Sequence, residues 1–360
     1  MTTFPIPQDD HTILFKDIQS IIDQARAGIA TSVNSTLVLA NWHIGNRINQ
    51  EILKNERAEY GEQIIRKISK DLTEEYGRGY SPTNLFNMVK FSNSFTDLKI
   101  VQTLSGQLSW SHFVELIYLD NGTKRDFYVE MARLERWSVR TLKEKVDGMM
   151  FERTCIAKQP EEVIKREIQN LRDDNKLAPD MVFRDPYTLD FLKLKDPYTE
   201  KDFENAILQS MEKFLLELGS DFAFLARQKR ITIDGQDYYI DLYFFHRRLR
   251  CPIIIELKLG KFKAADKGQV ELYLRWIEKY ELQEGENPPI GIILCSEKTS
   301  EHVELLQLEK SGIRVAQFLT ALPSKDVFER ELHKSIKMAR EKINLQEHIE
   351  AKDRKNKEYR

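Results

Sequence analysis

Cysteine is scarce in this chain and poorly placed for cross-linking. Cys155, Cys251 and Cys295 are scattered and odd in number, which gives neither a disulfide framework nor zinc-ligand spacing. The seven histidines are equally dispersed. Long apolar runs are missing as well. No stretch approaches the roughly 18 uninterrupted apolar residues that a membrane span requires, and the first residues lack the basic-then-apolar pattern of a secretory leader. A cytoplasmic protein with no membrane partner is expected. Net charge is also small: a formal −2 argues against indiscriminate binding to polyanions. No internal repeat or low-complexity tract interrupts the chain. What remains is 360 residues of ordinary composition, 41% hydrophobic and 31% charged, enough for two domains.

Residues 12–153 are expected to form a mainly helical domain. Leu14, Ile18, Ile21, Ile22, Ala25 and Ile29 recur at helical spacing, and so do Val33, Leu37, Ala40, Ile44, Ile48 and Ile52. A third helix is predicted over Glu62–Tyr76. After the glycine-bearing turn Gly77-Arg78-Gly79-Tyr80, Ser81-Pro82 opens another in the favoured cap-then-proline order. Two helices around a tight turn outline a DNA-reading helix-turn-helix with Thr83, Asn84, Asn87 and Lys90 at its exposed face. The same outline also describes ordinary helix pairing, in which the domain would dock a protein partner. A helix from Ser109 is expected to end at Asp120-Asn121-Gly122, and Ser138–Val146 makes one more. Residues 154–198, charged, rich in proline and weakly periodic, are expected to be a linker.

From residue 199 the period changes. A helix over Thr199–Leu218 precedes a strand at Arg230–Ile233, the hairpin turn Asp234-Gly235, and two aromatic and β-branched strands, Tyr238–Phe245 and Pro252–Lys258. A helix over Ala264–Tyr280, a strand at Pro289–Ser296, a helix over Ser300–Lys310 and a strand at Ile313–Phe318 follow. The domain 199–323 therefore predicts an α/β fold, a mixed sheet flanked by helices. A charged helix and tail complete the chain over 324–360.

If the hairpin of the two long strands is symmetric about Arg248 and Leu249, Phe245 faces Pro252 and Asp241 faces Glu256. Lys258 shares the face of Glu256 because strand side chains alternate. Like charges opposite each other on paired strands repel, and a carboxylate within Ile-Ile-Ile-Glu-Leu has lost much of its water. A divalent cation reverses that balance, and carboxylate oxygens suit Mg²⁺ or Mn²⁺. Without Asp241, Glu256 and Lys258 would read as an ion pair on an exposed strand. Between Arg227 and Lys267 ten Lys or Arg stand against five Asp or Glu. Arg227, Arg247, Arg248 and Lys261 are the candidates from that excess to hold phosphates.

This element order, with Asp241, Glu256 and Lys258, resembles the PD-(D/E)XK nuclease superfamily of restriction-endonuclease-like folds. Gln269-Val270-Glu271-Leu272-Tyr273 is similar to the Gln-x-x-x-Tyr element of its RecB-type members. Asn41-Trp42-His43-Ile44-Gly45, Leu108-Ser109-Trp110-Ser111-His112, Phe244-Phe245-His246-Arg247-Arg248-Leu249 and Ile254-Ile255-Glu256-Leu257-Lys258 extend the resemblance to the bacterial YhcG-like family over nearly the whole chain. The resemblance implies a Mg²⁺- or Mn²⁺-dependent phosphodiester hydrolase acting on nucleic acid, DNA in the first instance. Asp241 and Glu256 would be metal ligands, Glu204 an additional one, Lys258 a catalytic lysine, and Gln269 and Tyr273 would belong to the catalytic set. Ile240 stands where the superfamily's name has proline. The alternative is a nucleic-acid-binding or assembly protein that keeps the fold without turnover. Cutting both strands of a duplex would call for a homodimer or two successive nicks.

Overall fold

A computed structural model describes residues 8–53, 58–194, 197–299, 303 and 305–358. The chain divides into two compact units, Met1–Val146 and Asp147–Arg360. Among the described residues no helix is long and apolar enough to cross a membrane.

The first unit is helical: α1 (Gln8–Leu53), α2 (Ala58–Tyr76), α3 (Pro82–Ser94), α4 (Leu98–Ser105), α5 (Trp110–Leu116), α6 (Gly122–Glu135) and α7 (Val139–Asp147). The two periodic segments expected at the start form one continuous helix, because no proline separates them. Its buried stripe is Val38, Trp42, Gly45 and Ile48, while Ile29, Val33 and Leu37 remain 66%, 53% and 56% exposed. The close approach at Gly45 explains which stripe is buried. A β-carbon there would lie 1.9 Å from the Met88 carbonyl oxygen, so only glycine lets α1 and α3 touch backbone to backbone. The Trp42 indole N–H, one turn earlier, donates to the Phe95 carbonyl at 2.7 Å. The Ser109–His112 pair is also structural: the Ser109 amide donates to His112 Nδ1 at 3.1 Å, which caps α5.

Of the four residues expected at the DNA-reading face, Thr83 is exposed and the other three make contacts within this unit. Asn84 donates to the Gly79 carbonyl and accepts from the Trp110 indole. Asn87 is buried and accepts from the Tyr118 hydroxyl, whose ring lies beneath the Lys90 ammonium. Asn121-Gly122, expected to close a helix, instead opens α6, with the Asn121 side chain accepting from the Lys124 amide.

In the second unit the sheet has six strands among the described residues, β1 (Tyr187–Thr188), β2 (Phe222–Ile233), β3 (Gln236–His246), β4 (Cys251–Lys261), β5 (Ile290–Glu297) and β6 (Ile313–Leu319), in the order β1-β6-β5-β4-β3-β2. β2, β3 and β4 form an antiparallel meander, and β4, β5, β6 and β1 run parallel. The meander turns at Asp234-Gly235, both with positive φ, as a two-residue hairpin with right-handed twist requires. α11 (Glu200–Gln209) and α12 (Met211–Leu218) replace the single helix expected there and break at Ser210. Their Phe203, Ile207 and Phe214 cover Leu242, Phe244, Ile253, Ile255 and Leu257. On the other face α13 (Ala264–Tyr280) lays Val270, Tyr273, Leu274 and Ile277 against Ile254, Ile293, Cys295 and Val315. Residues 300–302 and 304 of the expected Ser300–Lys310 helix lie outside the described residues. α14 (Lys325–Glu358) follows the sheet.

Residues 154–198, expected as a linker, are folded into this unit. α8 (Met150–Arg153), α9 (Glu161–Asp174) and α10 (Pro179–Val182) lead into β1, which pairs with β6. Two ion clusters anchor them. Arg153 and Arg184 both meet Glu217, at 2.5 and 2.9 Å. Asp185 meets Lys158 at 2.5 Å, meets Lys298 as well, and accepts from the Gln317 amide at 3.0 Å. Segments rich in charge read as solvated in sequence, but here Arg184 and Asp185 are largely buried in ion pairs. Burial alone would raise the Asp185 carboxyl's pKa, yet Lys298, Lys158 and the Gln317 amide together hold it well below the usual carboxylate range.

Removing one partner of a buried ion pair typically costs about 3–5 kcal/mol, so Asp185→Asn should lower the unfolding free energy by about that much at pH 7. A depressed pKa contributes stability above the unfolded value, near 4, that fades as the group protonates in the fold. In urea titrations the gap between wild type and variant should therefore narrow as pH falls below about 4.

Candidate active site

The β3–β4 ladder runs from His246–Cys251 to Leu242–Ile255. One position further, where Asp241 would face Glu256, a side chain completes the bonding. Asp241 Oδ2 accepts the Leu257 amide hydrogen at 2.9 Å. The negative charge of Asp241 acts on Glu256, one position beyond the last bonded pair of the two strands. Lys258 follows on the same face of β4.

Glu256 is the most constrained member. It is 2% exposed, and Lys258 Nζ and Gln269 Nε2 both donate to its Oε1, at 3.0 and 2.8 Å. Gln269 also donates to the Tyr273 hydroxyl at 2.8 Å, so the pair from one face of α13 braces the carboxylate. The second oxygen, Oε2, is buried and has no hydrogen-bond partner. Burial, reinforced by the negative charge of Asp241 and only partly offset by Lys258, pushes the Glu256 carboxyl up to about 7. Burial raises Asp241 also, against the Leu257 and Gln228 donors.

Glu204 reaches the site from α11, but a third residue stands between it and Asp241. Gln228 Nε2 donates to Glu204 Oε2 at 3.2 Å and to Asp241 Oδ1 at 3.0 Å. Arg227 Nε lies 3.4 Å from Glu204 Oε1. Among the described residues no three or more His, Cys, Asp or Glu side chains are grouped to hold a metal ion. The expected ligand set of Asp241, Glu256 and Glu204 is therefore not assembled, and the intervening Gln228 amide is the physical reason. Two carboxylates with an orphaned buried oxygen still fit a hard cation, since Mg²⁺ is commonly held by one or two carboxylates with water and substrate phosphates completing its shell.

The basic candidates separate. Arg227 stands beside Glu204, and Lys261 ends β4 three residues beyond Lys258, exposed. Arg247 and Arg248 lie in the β3–β4 turn at the opposite end of the hairpin, roughly 20 Å from Asp241 along the strand. Arg248 is tied to Asp221. The structure does not bring that pair to the site.

Gln228 was not anticipated from sequence. The signal exists: running the Asp234-Gly235 hairpin register back along both strands brings Gln228 opposite Asp241. It is hidden because β2 begins at Phe222 rather than near Arg230.

Residues 180–336 match the family described as the YhcG PDDEXK nuclease domain, and residues 17–153 match the DUF1016 N-terminal domain. "Putative nuclease YhcG" of Escherichia coli (strain K12) is 37% identical over 308 residues, 77% of this chain and 81% of that protein. The chain belongs to the YhcG family. A repair endonuclease from Pyrococcus abyssi is 20% identical over 36% of this chain and 50% of its own, with a TM-score of 0.25. The YhcG nuclease-domain match begins at residue 180 and so takes in β1, in keeping with that strand's place in the sheet.

In this YhcG-family protein a raised Glu256 pKa has a calculable consequence. The folded, metal-free state holds a proton that the unfolded chain loses near pH 4.5. Stability therefore declines as pH climbs through the window from about 4.5 to 7, by on the order of 3 kcal/mol. Glu256→Gln removes that cost. In EDTA its unfolding temperature should exceed that of wild type at pH 8 and match it at pH 4.5, as differential scanning calorimetry would read directly.

Proposed function

We propose that this protein is a metal-dependent nuclease that hydrolyses phosphodiester bonds in DNA. One observation carries the reading: Glu256 is buried beside a second carboxylate, with one oxygen held by two donors and the other left with no partner. An arrangement that stores like charge without solvent is costly unless a cation joins it.

Asp241 and Glu256 would hold Mg²⁺ or Mn²⁺. When bound, such an ion polarises a phosphoryl oxygen and acidifies a water. Lys258 is a compact cation at the rim of the same face, half-buried, with Glu256 keeping its ammonium in place. It is positioned to donate to a phosphate oxygen and to orient the attacking water. Gln269 and Tyr273 hold the Glu256 carboxylate in one orientation and so preserve the direction of its free oxygen. Arg227 and Lys261 offer exposed positive charge at the site's edge for flanking phosphates, with binding that weakens as salt rises.

A plasmid-nicking assay with Mg²⁺ or Mn²⁺ tests the reading. Wild type should nick, and excess EDTA should stop it. Asp241→Ala and Lys258→Ala should each reduce the rate by about 10²-fold or more, while retaining most DNA binding. Nicking that persists in EDTA contradicts the metal role. Salt-sensitive binding with no cut product under either metal would identify a binding protein on a nuclease fold instead.

A further inference from the structure

Within β2 the backbone of Gln228 has φ +45°, although the residues on either side pair normally with β3, Arg227 with Leu242 and Lys229 with Ile240. A left-handed residue other than glycine inside a strand is strained, and such strain persists where the surroundings impose it. Here the conformation gives one amide group two carboxylates. The side-chain nitrogen carries two hydrogens, and it lies 3.2 Å from Glu204 Oε2 and 3.0 Å from Asp241 Oδ1. Its partners come from different elements, α11 and β3. With the Leu257 amide on Oδ2, both oxygens of Asp241 are tethered, so the rotation of that carboxylate is fixed from two sides.

We infer that Gln228 is a positioning residue: its strained backbone places a neutral amide between Glu204 and Asp241, which orients Asp241 to receive a divalent cation. This rests on the metal-site reading above and deepens it. A neutral double donor suits the place well. A cation there would pair with Glu204 permanently, and a shorter side chain could not span from β2 to both acids. Glu204 is thereby an anchor for Gln228, itself steadied by Arg227, which gives that helical acid a role without direct contact with the ion.

Strain and function can be separated by substitution. Gln228→Gly accepts the left-handed backbone without strain but removes the amide. Gln228→Asn tolerates the backbone also and is one methylene too short to bridge. The probe is Mn²⁺ alone, titrated calorimetrically into the full chain, with unfolding temperature measured separately in EDTA. The expected result is Mn²⁺ affinity about 10- to 100-fold weaker in both variants, the usual cost of losing a residue that orients a ligand, with each variant still unfolding cooperatively in EDTA. Equal Mn²⁺ affinity in wild type and the variants overturns the inference and leaves the metal site standing. Absence of Mn²⁺ binding by wild type overturns the metal site and this inference together.

Discussion

The parting of two strands organises the second unit's chemistry. β3 and β4 are bonded as far as Leu242–Ile255, and there the Asp241 carboxylate takes the Leu257 amide that a main-chain carbonyl would otherwise accept. A buried amide must find a partner, so the carboxylate is drawn to the fork. It arrives beside Glu256, which the pleat of β4 has turned to the same face. Asp241 cannot leave without breaking its bond to the backbone amide of Leu257. The proximity of two negative charges is thus a consequence of sheet geometry, and it is paid for by Lys258, Gln269 and Gln228.

The two faces of the sheet divide the remaining labour. α13 supplies Gln269 and Tyr273 on one side, held down by a contact so close that a β-carbon on Gly291 would lie 2.4 Å from Val270 Cγ1. α11 supplies Glu204 from the other, and Gln228 joins the two sides at the edge strand. Each donor therefore sits on an element whose own packing fixes it, which is how a site keeps its geometry before any ligand arrives. Arg184 and Asp185, far along the chain from these acids, tie residues 147–194 to α12, β5 and β6 and so complete the body that carries the sheet.

Much of this was legible in the residues. The β3–β4 register, Phe245 facing Pro252, followed from a hairpin whose turn is short and whose strands are apolar, so that it could be counted outward from Arg248 and Leu249. The glycine turn of β2–β3 was equally plain. Gln228 was not, because a strand of mixed and charged residues such as Ala226-Arg227-Gln228-Lys229-Arg230 lacks the alternation that marks a strand, and its key feature is a backbone angle. Residues 154–198 misled for a related reason. Their charged residues pair with distant partners, and pairing of that kind leaves no periodic trace. In α1 two apolar stripes competed, and the one with Gly45 is buried because close approach, which hydrophobicity alone does not encode, favours it.

The central claim is that the fork between β3 and β4 is a cation site built from Asp241 and Glu256. The most direct measurement is anomalous diffraction from crystals of the protein soaked in Mn²⁺. The account predicts a manganese peak within about 2.5 Å of both Asp241 Oδ and Glu256 Oε2. A fully soaked crystal with no peak at the fork, or with its manganese on other residues, would contradict it.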